Sequence, residues 1–286
     1  MKLSIVTINY NNADGLRKTL ASVAAQTYSD IEHIIVDAAS SDGSVDVIRE
    51  YEQQLHHTHS TIHLLWSSEK DNGIYDGMNK GVNKATGDYV WILNSGDCVA
   101  APDVVERMMN ILVLGTIAVL LGNIVRVYGN KKEYAPLPVK RIKDENPRLM
   151  DVSMYTFYRG TVPQDAAFVK RELYETYGYF DDKLAICADW KLYLNMIALG
   201  DVHPMHVNID VVLFDMTGIS NVNNELRLAE RRAYLEEVIP ASVLRDYDNH
   251  AFDIEQMDRL RKRHLYWFVY FIERVLFKLE KWRILR

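Results

Sequence analysis

Residues 69–97, EKDNGIYDGMNKGVNKATGDYVWILNSGD, join an acidic loop, a helical pattern, an apolar run and a terminal carboxylate. That layout can hold a nucleotide and its metal at the edge of an α/β sheet. The loop offers Glu69, Lys70, Asp71, Asn72 and Asp76, and the far end offers Asn94, Ser95, Gly96 and Asp97. A second polar turn, Thr7-Ile8-Asn9-Tyr10-Asn11-Asn12, follows an apolar run, so a base or ribose could sit against its side chains and amides. A third, Asp37-Ala38-Ala39-Ser40-Ser41-Asp42-Gly43-Ser44, sets one carboxylate at a strand end and another in a glycine-containing turn. Asp37 can accept a hydrogen bond from a base imide or a ribose hydroxyl. Helix capping is the competing use: Asn11, Asn12 or Asp14 for a first helix, Asp42 or Ser44 for a second, Asp71 or Asn72 for a third.

Such residues need strand ends to hold them in a row, and the apolar pattern supplies them. Residues 3–8, 31–37, 62–66 and 89–93 read as strands; 13–25, 44–55 and the segment carrying Ile74, Met78, Val82 and Ala85 read as helices. The alternation predicts right-handed βαβ crossovers and a parallel sheet, with Thr7, Asp37, Ser67 and Asn94 along one edge. Farther on, 104–114 reads as helix, 116–128 as one or two strands, and Pro136, Pro138 and Pro147 mark a loop-rich stretch. A short helix ended by Gly178, a helical pattern from Ala188, a last strand over 207–215 and helix from Glu225 complete the chain.

Composition excludes several classes. With 286 residues, 48% of them apolar, the chain can build one large α/β domain with an appendage. Cys98 and Cys187 stand far apart, which argues against a disulfide framework or a zinc site and fits a cytoplasmic protein. The opening apolar run is too short for a signal peptide, and no run reaches the roughly 18 residues of a membrane span. Neither G-x-G-x-x-G nor G-x-x-x-x-G-K-[ST] is present, which counts against a nicotinamide or flavin dehydrogenase and a P-loop phosphotransferase. The net charge of -6 divides into +7 over residues 259–286 and -13 elsewhere, so no nucleic-acid partner is expected for the acidic body.

TINYNN, VDAASSDGS, EKDNGIYDGMNKG, ATGDYVWILNSGD and the later CADW, in this order and spacing, together resemble the family 2 glycosyltransferases over about residues 1–215. The resemblance implies a GT-A type, Rossmann-like fold with a mixed, mainly parallel sheet, and inverting transfer from a nucleotide-sugar donor, a UDP-sugar, to a saccharide or lipid-linked acceptor. The subgroup it is most similar to assembles bacterial surface polysaccharide. The family's Asp-x-Asp metal motif falls on Ser95-Gly96-Asp97, so Asp97 is the one carboxylate expected on Mn2+ or Mg2+. The family's catalytic Asp falls on Asp189, which would be the general base or else simply cap a helix starting at Trp190. Nucleotide contacts are implied for Thr7, Asn9, Asp37, Asp71, Asn72 and Asp76. Many relatives read Pro-His-Gln where this chain has Pro163-Gln164-Asp165, so no His contact carries over; Ser95, Gln164, Asp165 and Trp190 are candidates for the donor or acceptor pocket. Met216-Thr217-Gly218-Ile219-Ser220 resembles a loop that closes over the donor.

Residues 1–220 are thus expected to be the GT-A domain and 221–286 a helical, basic extension. In it Leu265, Phe268, Ile272, Val275, Leu279 and Trp282 fall at helical spacing. That face fits an anionic membrane surface, or packs on the domain or on a second subunit. Two rivals to the enzyme reading are a silent membrane adaptor and a nucleotidyltransferase, the latter disfavoured because TINYNN is neither basic nor glycine-rich.

Overall fold

Four apolar runs become parallel neighbours: β1 (Leu3–Asn9), β2 (Ile31–Asp37), β3 (His63–Ser68) and β4 (Tyr89–Ile92). The computed structural model describes residues 1–113, 115–128, 131–135, 145–215 and 223–284. Their order in space is β3-β2-β1-β4, with Asn9 level with Asp37 and Asp37 level with Ser68. Every residue of β1, β2 and β4 is buried, as in strands covered on both faces. The crossovers are α1 (Ala13–Ala24), α2 (Ser44–His57) and α3 (Ile74–Lys84). Leu16, Leu20, Val47 and Ile48 of α1 and α2 join Ile5, Ile31 and Ile35 of the sheet in one core. On the other face α3 lies so near β1 that a Cβ on Gly81 would fall 2.2 Å from Val6 Cγ1. Bulk at Gly81 would push the helix off the sheet.

Beyond Lys84 the sheet becomes mixed. The segment holds β5 (Cys98–Val99), α4 (Val104–Leu112), β6 (Val119–Tyr128), β7 (Lys131–Tyr134), β8 (Arg148–Leu149), α5 (Met154–Arg159), β9 (Ala167–Lys170), α6 (Glu172–Tyr177), α7 (Ala188–Tyr193) and β10 (Met205–Asp215). Within residues 116–128, open to one or two strands, there is the single strand β6, Val119–Tyr128. Antiparallel β9 joins β4 to β6, and β10 runs parallel to β6, so that among the described residues all ten strands form one sheet. β5, β7, β8 and β9 have two to four residues, too few for alternation to register in the sequence.

The chain divides into two compact units, Met1–Arg231 and Arg232–Arg286. The division falls within α8 (Asn224–Val238), whose Arg227, Glu230 and Arg231 bond to residues 160 and 185–187 of the same unit. The second unit continues through α9 (Ala241–Lys262) and α10 (Tyr266–Ile284), and Arg232 within it bonds Glu236 at 2.7 Å and Asp248 at 2.8 Å. The expected stripe on α10 is broader than its spacing implied: Trp267, Phe271 and Phe277 are exposed along with Phe268, Ile272 and Val275. No helix of the described residues is long and apolar enough to cross a membrane.

Glu32 locks the amino-terminal side of the parallel sheet. Its carboxylate accepts hydrogen bonds from Lys2 Nζ (2.8 Å), Ser4 Oγ (2.6 Å), Thr86 N (2.8 Å) and Thr86 Oγ1 (2.8 Å). Burial favours the protonated acid, but these donors outweigh it and bring the carboxyl down to about 2. A depressed acid contributes stability above its unfolded value, and that contribution fades as pH falls through about 4 toward about 2. Glu32→Ala should cost about 3 kcal/mol at pH 7 by urea unfolding. The gap to the parent chain should narrow below about pH 4.

Candidate active site

At the carboxyl edge of the sheet, Asp37 is fully buried and takes four hydrogen bonds. Asn9 Nδ2 (2.8 Å) and Ser40 Oγ (2.6 Å) donate to Oδ1, and Ser40 N (3.0 Å) and Ser68 Oγ (2.6 Å) donate to Oδ2. One carboxylate thereby ties the ends of β1, β2 and β3. Asn9 Oδ1 is a buried acceptor with no partner, and Tyr10 beside it is 67% exposed. Thr7, expected at the nucleotide, is fully buried one strand repeat below this edge. Its hydroxyl meets His33 Nε2 at 3.0 Å, and His33 Nδ1 meets the Tyr51 hydroxyl at 3.0 Å. Burial holds His33 neutral, at about 3, so this chain serves the core.

The turn after β4 sits beside β1 because Ser95 N donates to Ile8 O at 3.1 Å. Asn12 caps α1 by accepting from Gly15 N (3.2 Å), and its amide donates to Ser95 O (3.1 Å). Thr19 donates to Asp97 O (2.7 Å) and accepts from Gly96 N (2.9 Å), while Gly96 holds φ at 106°, a conformation that favours glycine. Asp97 is buried, and Asn94 Oδ1 is a buried acceptor with no partner. Among the described residues no three His, Cys, Asp or Glu side chains cluster as a metal cage. The Ser95, Asn94 and Asp97 oxygens are hard donors, and a single carboxylate suits Mg2+ or Mn2+ that arrives with a diphosphate.

In the acidic loop Asp71 Oδ1 accepts from Gly73 N (3.2 Å), and its other oxygen lies against Gly77, where a Cβ would come within 3.1 Å. Asp76, expected at the nucleotide, accepts from Asn72 N (2.9 Å) and pairs with Lys80 at 3.1 Å. It therefore ties the loop to the first turn of α3. One residue before it, Tyr75 reaches across: its hydroxyl donates to Ile186 O at 2.5 Å and lies 3.2 Å from Asp189 Oδ1. The acidic loop and Asp189 are joined through that ring.

Asp189 lies in the first turn of α7, whose N-cap is Cys187, and is half-buried. Burial raises its carboxyl above the ordinary value, while the Trp190 amide, the Arg231 charge and the Tyr75 hydroxyl draw it back down. Asp165, also half-buried, is raised to about 7, first by burial and then by the negative charge of Asp189. Arg231 and Tyr75 favour the charge on Asp189, so Asp189 ionises and Asp165 keeps the proton. Gln164 is buried, with Nε2 on Met78 Sδ (3.9 Å) and Oε1 unpartnered. Trp190, expected in a substrate pocket, is 1% exposed and donates to Phe157 O and Gly160 O at 3.0 Å each. It orients α7 from inside. Met216-Thr217-Gly218-Ile219-Ser220 lies outside the described residues.

Tyr75, Glu230 and Arg231 belong to this site without any signal in the sequence, since their partners lie far along the chain. Ser68 was similarly hidden, and Ser40 stood in the polar turn after β2 without a role of its own. A polar residue at a strand end is the one cue that points to them.

The family model described as Glycosyl transferase family 2 matches residues 4–178. A Mycobacterium tuberculosis protein named only as an uncharacterized glycosyltransferase is 31% identical over 224 residues, covering 77% of each chain. S. aureus TarS 1–349 in complex with UDP-GlcNAc is 17% identical with a TM-score of 0.57, over 76% of this chain and 59% of that one. The mannosyltransferase PcManGT from Pyrobaculum calidifontis, in complex with GDP-Man and Mn2+, is 18% identical with a TM-score of 0.51, over 73% of this chain and 55% of that one. At these identities the two solved proteins show the shared fold, and this chain spans less than two thirds of either.

The Asp165–Asp189 pair has a measurable consequence. A raised acid contributes stability below its unfolded value, near 4, and loses it as pH rises to about 7. Asp165→Asn removes that loss. The variant should melt a few degrees above the parent chain at pH 8 by calorimetry, and the difference should vanish near pH 4. An equal shift at both pH values would contradict the electrostatic pairing.

Proposed function

The chain belongs to glycosyl transferase family 2, and on that premise we propose that it is an inverting enzyme. It moves a hexosyl or N-acetylhexosaminyl group from a UDP-sugar to a saccharide or lipid-linked hydroxyl in surface polysaccharide synthesis. One observation carries the reading: a half-buried Asp189 held by Tyr75, at the far end of the acidic loop from the strand edge that would hold the nucleotide. The TarS complexes with UDP and UDP-GlcNAc support the choice of donor.

Asn9 Oδ1 would accept the imide N–H of the base, and Tyr10 would stack on it. Asp71 and Asn72 would meet the nucleoside from the facing loop. Asp37 acts from behind by fixing Asn9 and Ser40. Asp97, with Ser95 and Asn94 oxygens near it, would hold a divalent cation on the diphosphate, and that cation would neutralise the departing charge. The Mn2+ complex of PcManGT supports this role. Asp189 takes the proton of the acceptor hydroxyl as that oxygen bonds the anomeric carbon. The bond from that carbon to the diphosphate oxygen breaks on the opposite face, and configuration inverts. Protonated Asp165 would donate a hydrogen bond to the sugar or acceptor.

The second unit would seat α10 on an anionic bilayer. Its exposed Trp267, Phe268, Phe271 and Phe277 suit the interface, and Arg259, Arg261, Lys262 and Arg263 precede them. A second copy of the chain is the competing cover for the same residues.

Asp189→Asn should lower transfer by about 10²- to 10⁴-fold and leave UDP-induced thermal stabilisation intact. Asp97→Ala should abolish the Mn2+ dependence of both. Full transfer by Asp189→Asn would remove the base assignment, and no UDP-sugar turnover under any metal would favour a silent adaptor. In flotation assays, replacing the four basic residues by Gln should weaken binding to phosphatidylglycerol vesicles at least tenfold, from about 1 kcal/mol each. Dimers in sedimentation with no vesicle binding would assign α10 to a second copy.

A further inference from the structure

A helix of six residues has no stability of its own, so the direction of Asp189 must come from whatever holds the start of α7. The backbone N–H groups just before it converge on one side chain. Glu230 Oε1 accepts from Ala185 N at 2.7 Å, and Oε2 accepts from Ile186 N at 3.1 Å and Cys187 N at 3.0 Å. Three amides on one carboxylate make a strong charge-assisted anchor. Cys187 Sγ adds a bond to Arg227 O at 3.4 Å.

The next residue meets α7 from the same helix. The Arg231 guanidinium lies 5.3 Å from the centre of the Trp190 ring and donates to Gly160 O at 3.3 Å. Its positive charge acts on Asp189. Positions 227, 230 and 231 share one face of α8. From the other side come Tyr75 on Asp189 and Ile186, and Lys191 on Asp181 at 2.7 Å. The titratable and charged groups around Asp189 are thus Tyr75, Asp165, Cys187, Tyr193, Glu230 and Arg231.

We propose that Glu230 and Arg231 are positioning residues for Asp189: Glu230 anchors the loop that starts α7, and Arg231, held over the ring of the adjoining Trp190, keeps a positive charge beside the helix start. This rests on Asp189 as the base of the reaction above. The first turns of α8 are then part of the catalytic unit, although they lie beyond the span that matches the family. Removing Glu230 leaves three amides without their acceptor and the helix start free to drift, and a misplacement of about 1 Å costs on the order of 100-fold in rate. Removing Arg231 leaves burial opposing the charge on Asp189 with one counter-charge fewer.

Hydrogen exchange and 13C-carboxyl NMR of the full chain test both halves without an acceptor, with the Asp189 signal assigned through Asp189→Asn. Glu230→Gln should speed exchange at Ala185, Ile186 and Cys187 at least tenfold. Its kcat for Mn2+-dependent UDP-GlcNAc hydrolysis should fall about 10- to 100-fold, with UDP affinity unchanged. Arg231→Gln should move the Asp189 titration to higher pH, and Arg231→Lys should return it. Glu236→Gln, farther along α8, should alter none of these. Parent-like exchange and kcat in Glu230→Gln would overturn the anchor, and identical titrations for Arg231→Gln and Arg231→Lys would overturn the charge role. Should Glu230→Gln not fold, the Arg231 pair still decides. Parent protein with these NMR signatures and no hydrolysis would refute the proposed reaction and leave the latch standing.

Discussion

The ends of β1, β2 and β3 meet at one buried carboxylate, Asp37, which is satisfied by Asn9, Ser40 and Ser68. An ionised carboxylate away from water is costly unless its lone pairs are filled, and four donors fill them here. The three strand ends therefore cannot splay independently. That rigidity leaves Asn9 Oδ1 aimed and unpartnered, and sets the acidic loop beside Ser68 at a defined distance from the Asp97 turn. Asn12 and Thr19 extend the same cross-bracing to residues 94–97. The edge is a preorganised polar surface, and preorganisation is what gives fixed dipoles their value in charge stabilisation.

At the other end of the acidic loop the physics changes. Asp189 stands on a short helix that runs directly into a π-helical turn, Leu194–Leu199, and such widened turns are frequent at functional sites. Locally only backbone amides, that of Trp190 first, meet its carboxylate. Long-range partners hold the helix that carries it: Tyr75 from α3, Trp190 through Phe157 and Gly160, and Glu230 with Arg231 from α8. Glu32 and Asp165 are displaced in opposite directions. Four donors hold Glu32 ionised, whereas Asp165 faces another carboxylate and keeps its proton near neutrality.

The second unit has a different economy of surface. Leu235, Ile239 and Leu244 are buried, yet Trp267, Phe268, Phe271 and Phe277 are more than 60% exposed. Single exposed apolar residues are ordinary, and it is the run of aromatic ones on which the proposed seating of α10 rests.

The sequence by itself determined the parallel half of the fold. Short apolar runs separated by helical periods left few alternatives for β1 to β4, and the polar residues that end them had to line one edge. The family resemblance singled out Asp97 and Asp189, because motif order and spacing survive where overall identity is low. Thr7 shows what the pattern leaves open: alternation along β1 gives Thr7 and Asn9 the same face, and only the structure reveals that Thr7, one repeat deeper, meets His33. Tertiary structure alone decided that Asp37 is taken up in tying strand ends together and that Tyr75 connects the acidic loop to Asp189. It also decided that α8 belongs partly to the first unit. These are contacts between residues 28 to 114 positions apart, and a linear pattern encodes periodicity and local caps but not which distant donor will meet a buried charge.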